Sequence, residues 1–396
     1  MVGALEKLRA LPRTVWALGA VSLLTDTAAD MIYPLLPSIL ERVGATVVSL
    51  GVMEGIAEAL SAAVKIASGR AADRGRSPKL LVAFGYGLSS IARPLMAFAH
   101  ASALIVVLRS FDRLGKGIRG APRDKILARA ALPSQRGLAF GVHRGMDNLG
   151  AVLGGTLSFV LLGAFALPLD TVLLLSFVPG LLSTIVAVAF VEAPTPTPTA
   201  TEPAPRARSA ERGVPARARW TLGVFGLFAL AASADSFLVA HLTKLGLPLE
   251  LAPLAWISLQ LAKYLLNVPG GALADRVGPK VVVVGSYAVY AAAYASFAFV
   301  ASPWVFWALL PLYALYYGFG EGAERSLLVA LAPEEVRGRT LGWANAIQGL
   351  MLLPANIGFA LLYVHEPRVA FLATAGVAAL ASMALLVTVP APAEVP

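Results

Sequence analysis

Runs of roughly 20 apolar residues follow one another along the whole chain, each about the length an α-helix needs to cross some 30 Å of hydrocarbon. Hydrocarbon offers no water to backbone N–H and C=O groups, so such runs fold as helices that satisfy those groups internally. Twelve spans are expected, at 15–40, 47–69, 79–100, 102–127, 137–162, 169–191, 219–243, 250–272, 280–300, 303–330, 338–362 and 367–390. With 58% hydrophobic and 14% charged residues, the 396-residue chain is too apolar for a soluble domain. Pro34, Pro37, Pro94, Pro179, Pro269, Pro311 and Pro354 fall inside the spans, where neighbouring helices can re-satisfy the freed backbone groups. The absence of cysteine excludes disulfides, thiol catalysis and Cys-ligated metal sites.

A loop signature occurs twice. Gly69-Arg70-Ala71-Ala72-Asp73-Arg74 follows the second span and Gly271-Ala272-Leu273-Ala274-Asp275-Arg276 the eighth, with Asp73 and Asp275 202 positions apart. Pro133-Ser134-Gln135-Arg136-Gly137 is echoed by Pro333-Glu334-Glu335-Val336-Arg337-Gly338. Self-similarity at this period implies a duplicated six-span unit. The expected organisation is an N-terminal bundle over 1–192, a linker over 193–218 and a C-terminal bundle over 219–396. The linker, rich in Pro, Thr, Ala and Arg without apolar periodicity, reads as a semi-extended tether drawn to anionic lipid headgroups.

The cations set an orientation. Eighteen Lys and Arg lie in the N-terminus, the even-to-odd loops and the linker, against Arg42, Lys244 and Arg368 in the opposite loops. Both termini are therefore expected in the cytoplasm. The N-terminus shows no cleavable signal, so the first span should be retained. The net charge of +9 is mostly this orientation signal, and no soluble basic face suggests nucleic acid as a partner.

At these residues the chain resembles the major facilitator superfamily. The second loop carries its cytoplasmic signature in full (Gly271, Asp275, Arg276, Gly278, Lys280), while the first departs where Gly75 directly follows Arg74. The segment Asp112-Arg113-Leu114-Gly115-Lys116-Gly117-Ile118-Arg119-Gly120-Ala121-Pro122-Arg123-Asp124, with Leu24-Thr25-Asp26 and Met31-Ile32-Tyr33-Pro34-Leu35-Leu36-Pro37, is similar to a bacterial efflux-type subgroup. The resemblance implies an all-α membrane protein of twelve helices in two pseudo-symmetric six-helix bundles. It also implies alternating access around a midplane site, in a bacterial inner membrane. Gly150-Ala151-Val152-Leu153-Gly154-Gly155 is similar to the family's antiporter stretch, with Ala151 where the family has Pro. Close helix approach at small residues explains the same segment without antiport.

Charges inside spans need partners or a water-filled cavity. Sixteen lie in the N-terminal half, against Asp235, Lys263, Glu321, Glu324 and Arg325 in the other. Ion coupling is therefore expected chiefly in the first half. Asp26 and Asp30 stand one turn apart, as do Glu54 and Glu58, and Arg109, Asp112, Arg113 and Lys116 form one helical stripe. These seven, without Lys116, are the proton-coupling candidates, Asp26 and Asp30 as the titrating acids and Arg109 and Arg113 as their partners. Ion pairs that only fix helix register are the competing explanation.

Cargo candidates are Arg93, Lys116, Arg144, Asp147, Asn148, Asp235, Lys263, Asn267, Glu321, Asn345 and Gln348. Gly69, Asp73, Arg74, Arg123, Asp124, Gly271, Asp275, Arg276, Glu324 and Arg325 are read as a cytoplasmic latch, against ordinary helix-end charge pairing. Lys116 in Gly-Lys-Gly lacks the remaining residues of a phosphate loop. No metal, cofactor or nucleophile constellation is visible, so an enzyme is not expected. The expected function is proton-coupled export of a small organic molecule by a monomer. Uptake or exchange of an anionic metabolite, and a transport-inactive scaffold or sensor, are the alternatives.

Overall fold

The computed structural model describes residues 10–74, 76–132, 135–192 and 214–388. Residues 193–213 of the expected linker, Pro133-Ser134 of the second loop signature and the side chain of Asp73 lie outside the described residues. Every described element is helical. The α-helices are α1 Arg13–Asp30, α2 Leu36–Arg42, α3 Val47–Asp73, α4 Pro78–Leu95, α5 Ser102–Ala130, α6 Arg136–Phe159, α7 Leu169–Leu175 and α8 Phe177–Phe190. They continue as α9 Ala216–Ala231, α10 Ser236–Lys244, α11 Ala252–Val277, α12 Pro279–Phe297, α13 Pro303–Leu331, α14 Glu334–His365 and α15 Pro367–Thr388.

Among the described residues, nine helices or helix pairs are long and apolar enough to cross a membrane. α5, α11 and α13, of 29, 26 and 29 residues, are long enough at about 1.5 Å per residue but fall short of that apolarity. They occupy the fourth, eighth and tenth expected spans.

The chain divides into two compact units. One gathers the described parts of Met1–Ser49, Ile56–Thr197 and Pro248–Ile257, the other those of Leu50–Gly55, Pro198–Leu247 and Ser258–Pro396.

The duplication is visible in the backbone. After α2, Gly44 takes φ +69°, its N–H bonding Glu41 O, while Ala45 N–H reaches back to Leu40 O at 3.0 Å. After α10, Gly246 takes φ +97°, its N–H bonding Thr243 O, and Leu247 N–H reaches Leu242 O at 3.0 Å. Both are Schellman closures, which require a left-handed residue that glycine adopts without a Cβ clash. Gly44 and Gly246 stand 202 positions apart, like the two loop aspartates.

Each unit also interrupts its first span. Pro34 lies in a 3-10 turn, Tyr33–Leu35, between α1 and α2. There the backbone satisfies itself, Met31 N–H bonding Thr27 O and Leu35 N–H bonding Ile32 O. Between α9 and α10 side chains do that work. Ala234 N–H donates to Asn356 Oδ1 at 2.8 Å, Tyr290 OH donates to Ala231 O at 3.0 Å, and Ser233 Oγ meets Tyr294 OH at 2.7 Å.

Packing differs too. In the first unit α4 and α5 touch backbone to backbone, because a Cβ on Gly85 would lie 2.6 Å from Gly115 O. α6 meets α1 in the same way, Gly150 against Leu23 O and Gly154 against Thr27 O. The second unit is filled with rings: Tyr287, Tyr290, Tyr294, Tyr313, Phe297 and Phe306 are all fully buried. Large apolar side chains such as Leu80, Phe84, Phe98 and Val387 are exposed, as a surface facing hydrocarbon requires.

Candidate functional site

In the first unit α5 forms a charged spine. Asp112, 2% exposed, meets Arg93 of α4 at 2.9 Å and Arg109, one turn earlier, at 3.0 Å. Arg93 also donates to Thr25 O at 3.1 Å, tying α4 to α1. The Arg109 guanidinium lies 5.2 Å from the Tyr33 ring centre. Arg113 Nε stands 3.3 Å from Glu58 Oε1 on α3. Arg119 donates to Ser89 Oγ at 2.8 Å and lies 4.6 Å from the Tyr86 ring centre, and Ser89 Oγ donates to Asp112 O at 2.9 Å. Buried charges persist only when paired and hydrogen-bonded, and here one carboxylate is shared by two guanidinium groups.

The expected pairing of Asp26 and Asp30 with Arg109 and Arg113 gives way to another arrangement. Arg109 meets Asp112 on its own helix and Arg113 meets Glu58, carboxylates already in register with α5. Asp30 Oδ1 instead accepts from Trp256 Nε1 at 2.8 Å, and the Trp256 ring packs on Tyr33 with centres 4.5 Å apart. Asp26, half-buried, has no hydrogen bond or ion pair among the described residues. It stands in the field of Asp147, Asp30, Lys116 and Arg119. Asp147 accepts from Ser22 Oγ, one turn before Asp26, and lies 3.6 Å from His143 Nδ1. Asp26 thus stands in the field of two further carboxylates, one of which, Asp147, has a buried imidazole beside it.

Lys116 and Arg144 are exposed, and Glu54 is buried one turn before Glu58. Asn148 Nδ2 is buried without a hydrogen-bond partner among the described residues. His143, 4% exposed with Nε2 likewise unsatisfied, was missed in the sequence. Its place inside an apolar span was the available signal.

In the second unit Asp235 stands at the N-terminus of α10, at the break in the span, with its carboxylate turned to other partners than the helix N–H groups. Lys263 Nζ approaches Asp235 Oδ2 at 2.5 Å, and Tyr313 OH donates to Oδ1 at 2.5 Å. The ammonium also lies 4.0 Å from the Tyr317 ring centre and 5.2 Å from that of Tyr313. Asn267, one turn beyond Lys263, is half-buried, and Asn345 is exposed.

The latch residues fall into several environments. Gly69 brings α3 against α5, where its Cβ would sit 3.3 Å from that of Ala121. Lys125, one of the sixteen span charges of this half but expected in no particular role, donates to Ala72 O at 2.8 Å and places a cation at the negative end of α3. Arg74 is exposed, and Arg123 and Asp124 bond each other at 2.9 Å. Glu324 does not pair with its neighbour Arg325. It accepts from Tyr287 OH at 3.0 Å and from Gln348 Nε2 at 2.9 Å, while Arg325 reaches Glu321 at 3.3 Å. Gln348, expected at the cargo, thus holds a gate candidate. Gly271 is half-buried in open space, and Asp275 and Arg276 are exposed at the end of α11.

The chain is 29% identical over 385 residues to an uncharacterized MFS-type transporter of Methanocaldococcus jannaschii, covering 96% of each protein. Over 80 residues, 20% of each chain, it is 35% identical to the multidrug resistance protein MdtH of Edwardsiella ictaluri. Its fold matches a bacterial homolog of the human lysosomal transporter Spinster in an inward-facing, unoccupied conformation. That match has a TM-score of 0.77 at 15% identity and covers 96% of this chain and 98% of the other. Residues 18–356 and 258–396 match the Major Facilitator Superfamily. With buried charges inside duplicated helical units and a family match along almost its whole length, the chain belongs to the Major Facilitator Superfamily and is a multi-pass membrane transporter.

Proposed function

We propose that the protein exports a small organic molecule by alternating access, driven by protons exchanged at Asp26. The carrying observation is Asp26 itself: a half-buried carboxyl inside a span, with no hydrogen bond or ion pair among the described residues, in the field of Asp30 and Asp147 and of the cations Lys116 and Arg119. A carboxyl with no fixed partner can take and release a proton without dismantling structure. Movement of its charge is then felt by the neighbouring acids and cations. Asp112, by contrast, is locked by two arginines and serves the scaffold. The stretch of likeness to a multidrug resistance protein supports export as the direction.

In this reading both termini face the cytoplasm of a bacterial cell, the protein acts as a monomer in the inner membrane, and the residue 1–192 and 219–396 halves alternate about the cargo. The ends of α3 and α11, with Arg123, Asp124, Glu324 and Arg325, form the cytoplasmic gate. Anion uptake or exchange is the second reading, favoured by Lys116, exposed one turn beyond Arg113.

The test uses proteoliposomes loaded with a panel of lipophilic cations, organic anions and sugars, under an imposed pH gradient. Gradient-driven flux of one class should disappear in Asp26→Asn, while exchange of the same cargo without a gradient persists. Undiminished gradient-driven flux in Asp26→Asn would remove Asp26 from coupling.

A further inference from the structure

We propose that the second unit contains an ammonium-binding site which Lys263 occupies in this state, and that an alkylammonium cargo binds there by displacing Lys263 from Asp235. This deepens the transport reading above and rests on it.

The site is already formed around an ammonium. Lys263 Nζ has a carboxylate oxygen at 2.5 Å and two tyrosine rings with centres at 4.0 and 5.2 Å. A cation over aromatic faces beside a carboxylate is the arrangement by which proteins recognise organic cations. The lysine side chain is buried, 10% exposed, so what it occupies is a desolvated pocket for one positive charge.

The two partners of the ion pair are not equally mobile. Asp235 has a short side chain, stands at the N-terminus of α10 and is gripped on its other oxygen by Tyr313 OH at 2.5 Å. The break that presents it is pinned by Asn356 on Ala234 N–H and by Tyr294 on Ser233. Lys263 reaches in on a four-carbon stem with freely rotating donors. The carboxylate is therefore the fixed element and the ammonium the exchangeable one, which selects a cationic cargo over an anionic one.

Two nearby groups have unused hydrogen-bonding capacity. Gln260 Oε1, one helical turn before Lys263 on α11, and Ser236 Oγ, next to Asp235, are buried without hydrogen-bond partners among the described residues. Residues three apart on a helix are neighbours on its surface, so Gln260 offers a displaced Lys263 ammonium an acceptor within one turn. Both polar atoms cost free energy while unsatisfied, which favours a state in which Lys263 has moved and a cargo has arrived.

The experiment is calorimetric titration of n-butylammonium into purified full-length protein, in detergent and without a proton gradient. Lys263→Gln keeps a neutral donor for Asp235 and removes the competing cation, so it should bind n-butylammonium at least tenfold more tightly than the parent. Lys263→Gln/Asp235→Asn should lose that gain. Tyr317→Leu in the Lys263→Gln background should weaken binding several-fold. Lys263→Met is the second background should Lys263→Gln fail to give monodisperse protein. Equal or weaker binding in both Lys263 variants, or a gain that survives Asp235→Asn, overturns the proposal. Because no gradient is involved, a failure of proton coupling leaves this result standing. Conversely, gradient-driven flux with no affinity gain refutes the ammonium site alone.

Discussion

The two units solve the same problem, stabilising charge among apolar helices, with different chemistry. In the first, guanidinium groups do it: Arg93, Arg109 and Arg119 on α4 and α5 surround Asp112, Ser89 and Tyr86. In the second, tyrosines do it: Tyr313 and Tyr317 flank Asp235 and Lys263, and Tyr287 holds Glu324. Arginine forks are rigid, always charged and bidentate in habit, so an arginine-held carboxylate is locked into the frame. A phenol donates one bond and presents a polarizable face, so a tyrosine-held charge can be exchanged without leaving a buried ion behind. The first unit carries a fixed spine beside a carboxyl, Asp26, that has no fixed partner among the described residues. The second carries an ion pair within an aromatic wall.

The contrast can be broken most directly at Asp112. Asp112→Ala leaves Arg93 and Arg109 buried without their shared carboxylate, and stability should fall by about 3–5 kcal/mol, read as lost monodispersity or a large drop in Tm. Asp235→Asn keeps one acceptor oxygen, and Lys263 retains its two aromatic faces, so it should cost clearly less. Equal losses would show that both ion pairs are structural locks.

Gly115→Val probes the backbone seam, because even a Cβ there would meet Gly85 O at 2.5 Å and Ser89 Oγ at 2.6 Å. About 1–3 kcal/mol should be lost as α4 and α5 separate, and the displaced Ser89 should weaken the Arg119 contact. Wild-type thermal stability in this variant would show that the seam is soft.

At the break in the seventh span, Asn356→Ala removes the acceptor of Ala234 N–H. A buried donor left unsatisfied costs about 1–3 kcal/mol. Because the same break presents Asp235, n-butylammonium binding in the Lys263→Gln background should weaken as well. A Tm loss with unaltered binding would separate the cap from the site.

The smallest effect is expected at Arg325→Ala. Its side chain is 69% exposed and its partner is Glu321 at 3.3 Å, so a pair of this kind should change stability by less than about 0.5 kcal/mol. A larger loss in folded protein, with gradient-driven flux altered, would instead mark the pair as part of the gate.

Much of this was legible before any coordinates. Spans of apolar residues can only be helices in hydrocarbon, and the repeated Asp-Arg loops placed the duplication that the Gly44 and Gly246 closures reproduce. Asp235 and Lys263 stood out as rare charges in apolar helices. What was misjudged was the pairing. Helical spacing says which side chains share a face, but not which neighbouring helix that face meets. Arg109 could be matched with Asp26 on paper, yet in the fold it meets Asp112 three residues along. Trp256, 226 positions from Asp30, could not be inferred as its donor. His143 drew no expectation, and Lys125 was only one of sixteen span charges, because nothing in their local sequence announces a partner.

From sequence alone come the helical membrane class, the twofold repeat and the set of charged residues that must find company inside the bilayer. These follow from composition and period, which act locally and survive any arrangement of the helices. The tertiary structure alone decided which charge each residue meets, that Asp26 has no fixed hydrogen-bond or ion-pair partner among the described residues, and that an ammonium can sit between Asp235 and two tyrosines. Those facts depend on helix rotation and separation. A glycine at 85 or 154 lets two backbones touch, and a break at 232–235 re-aims the chain, and losing such an arrangement changes burial and pairing energies by several kcal/mol.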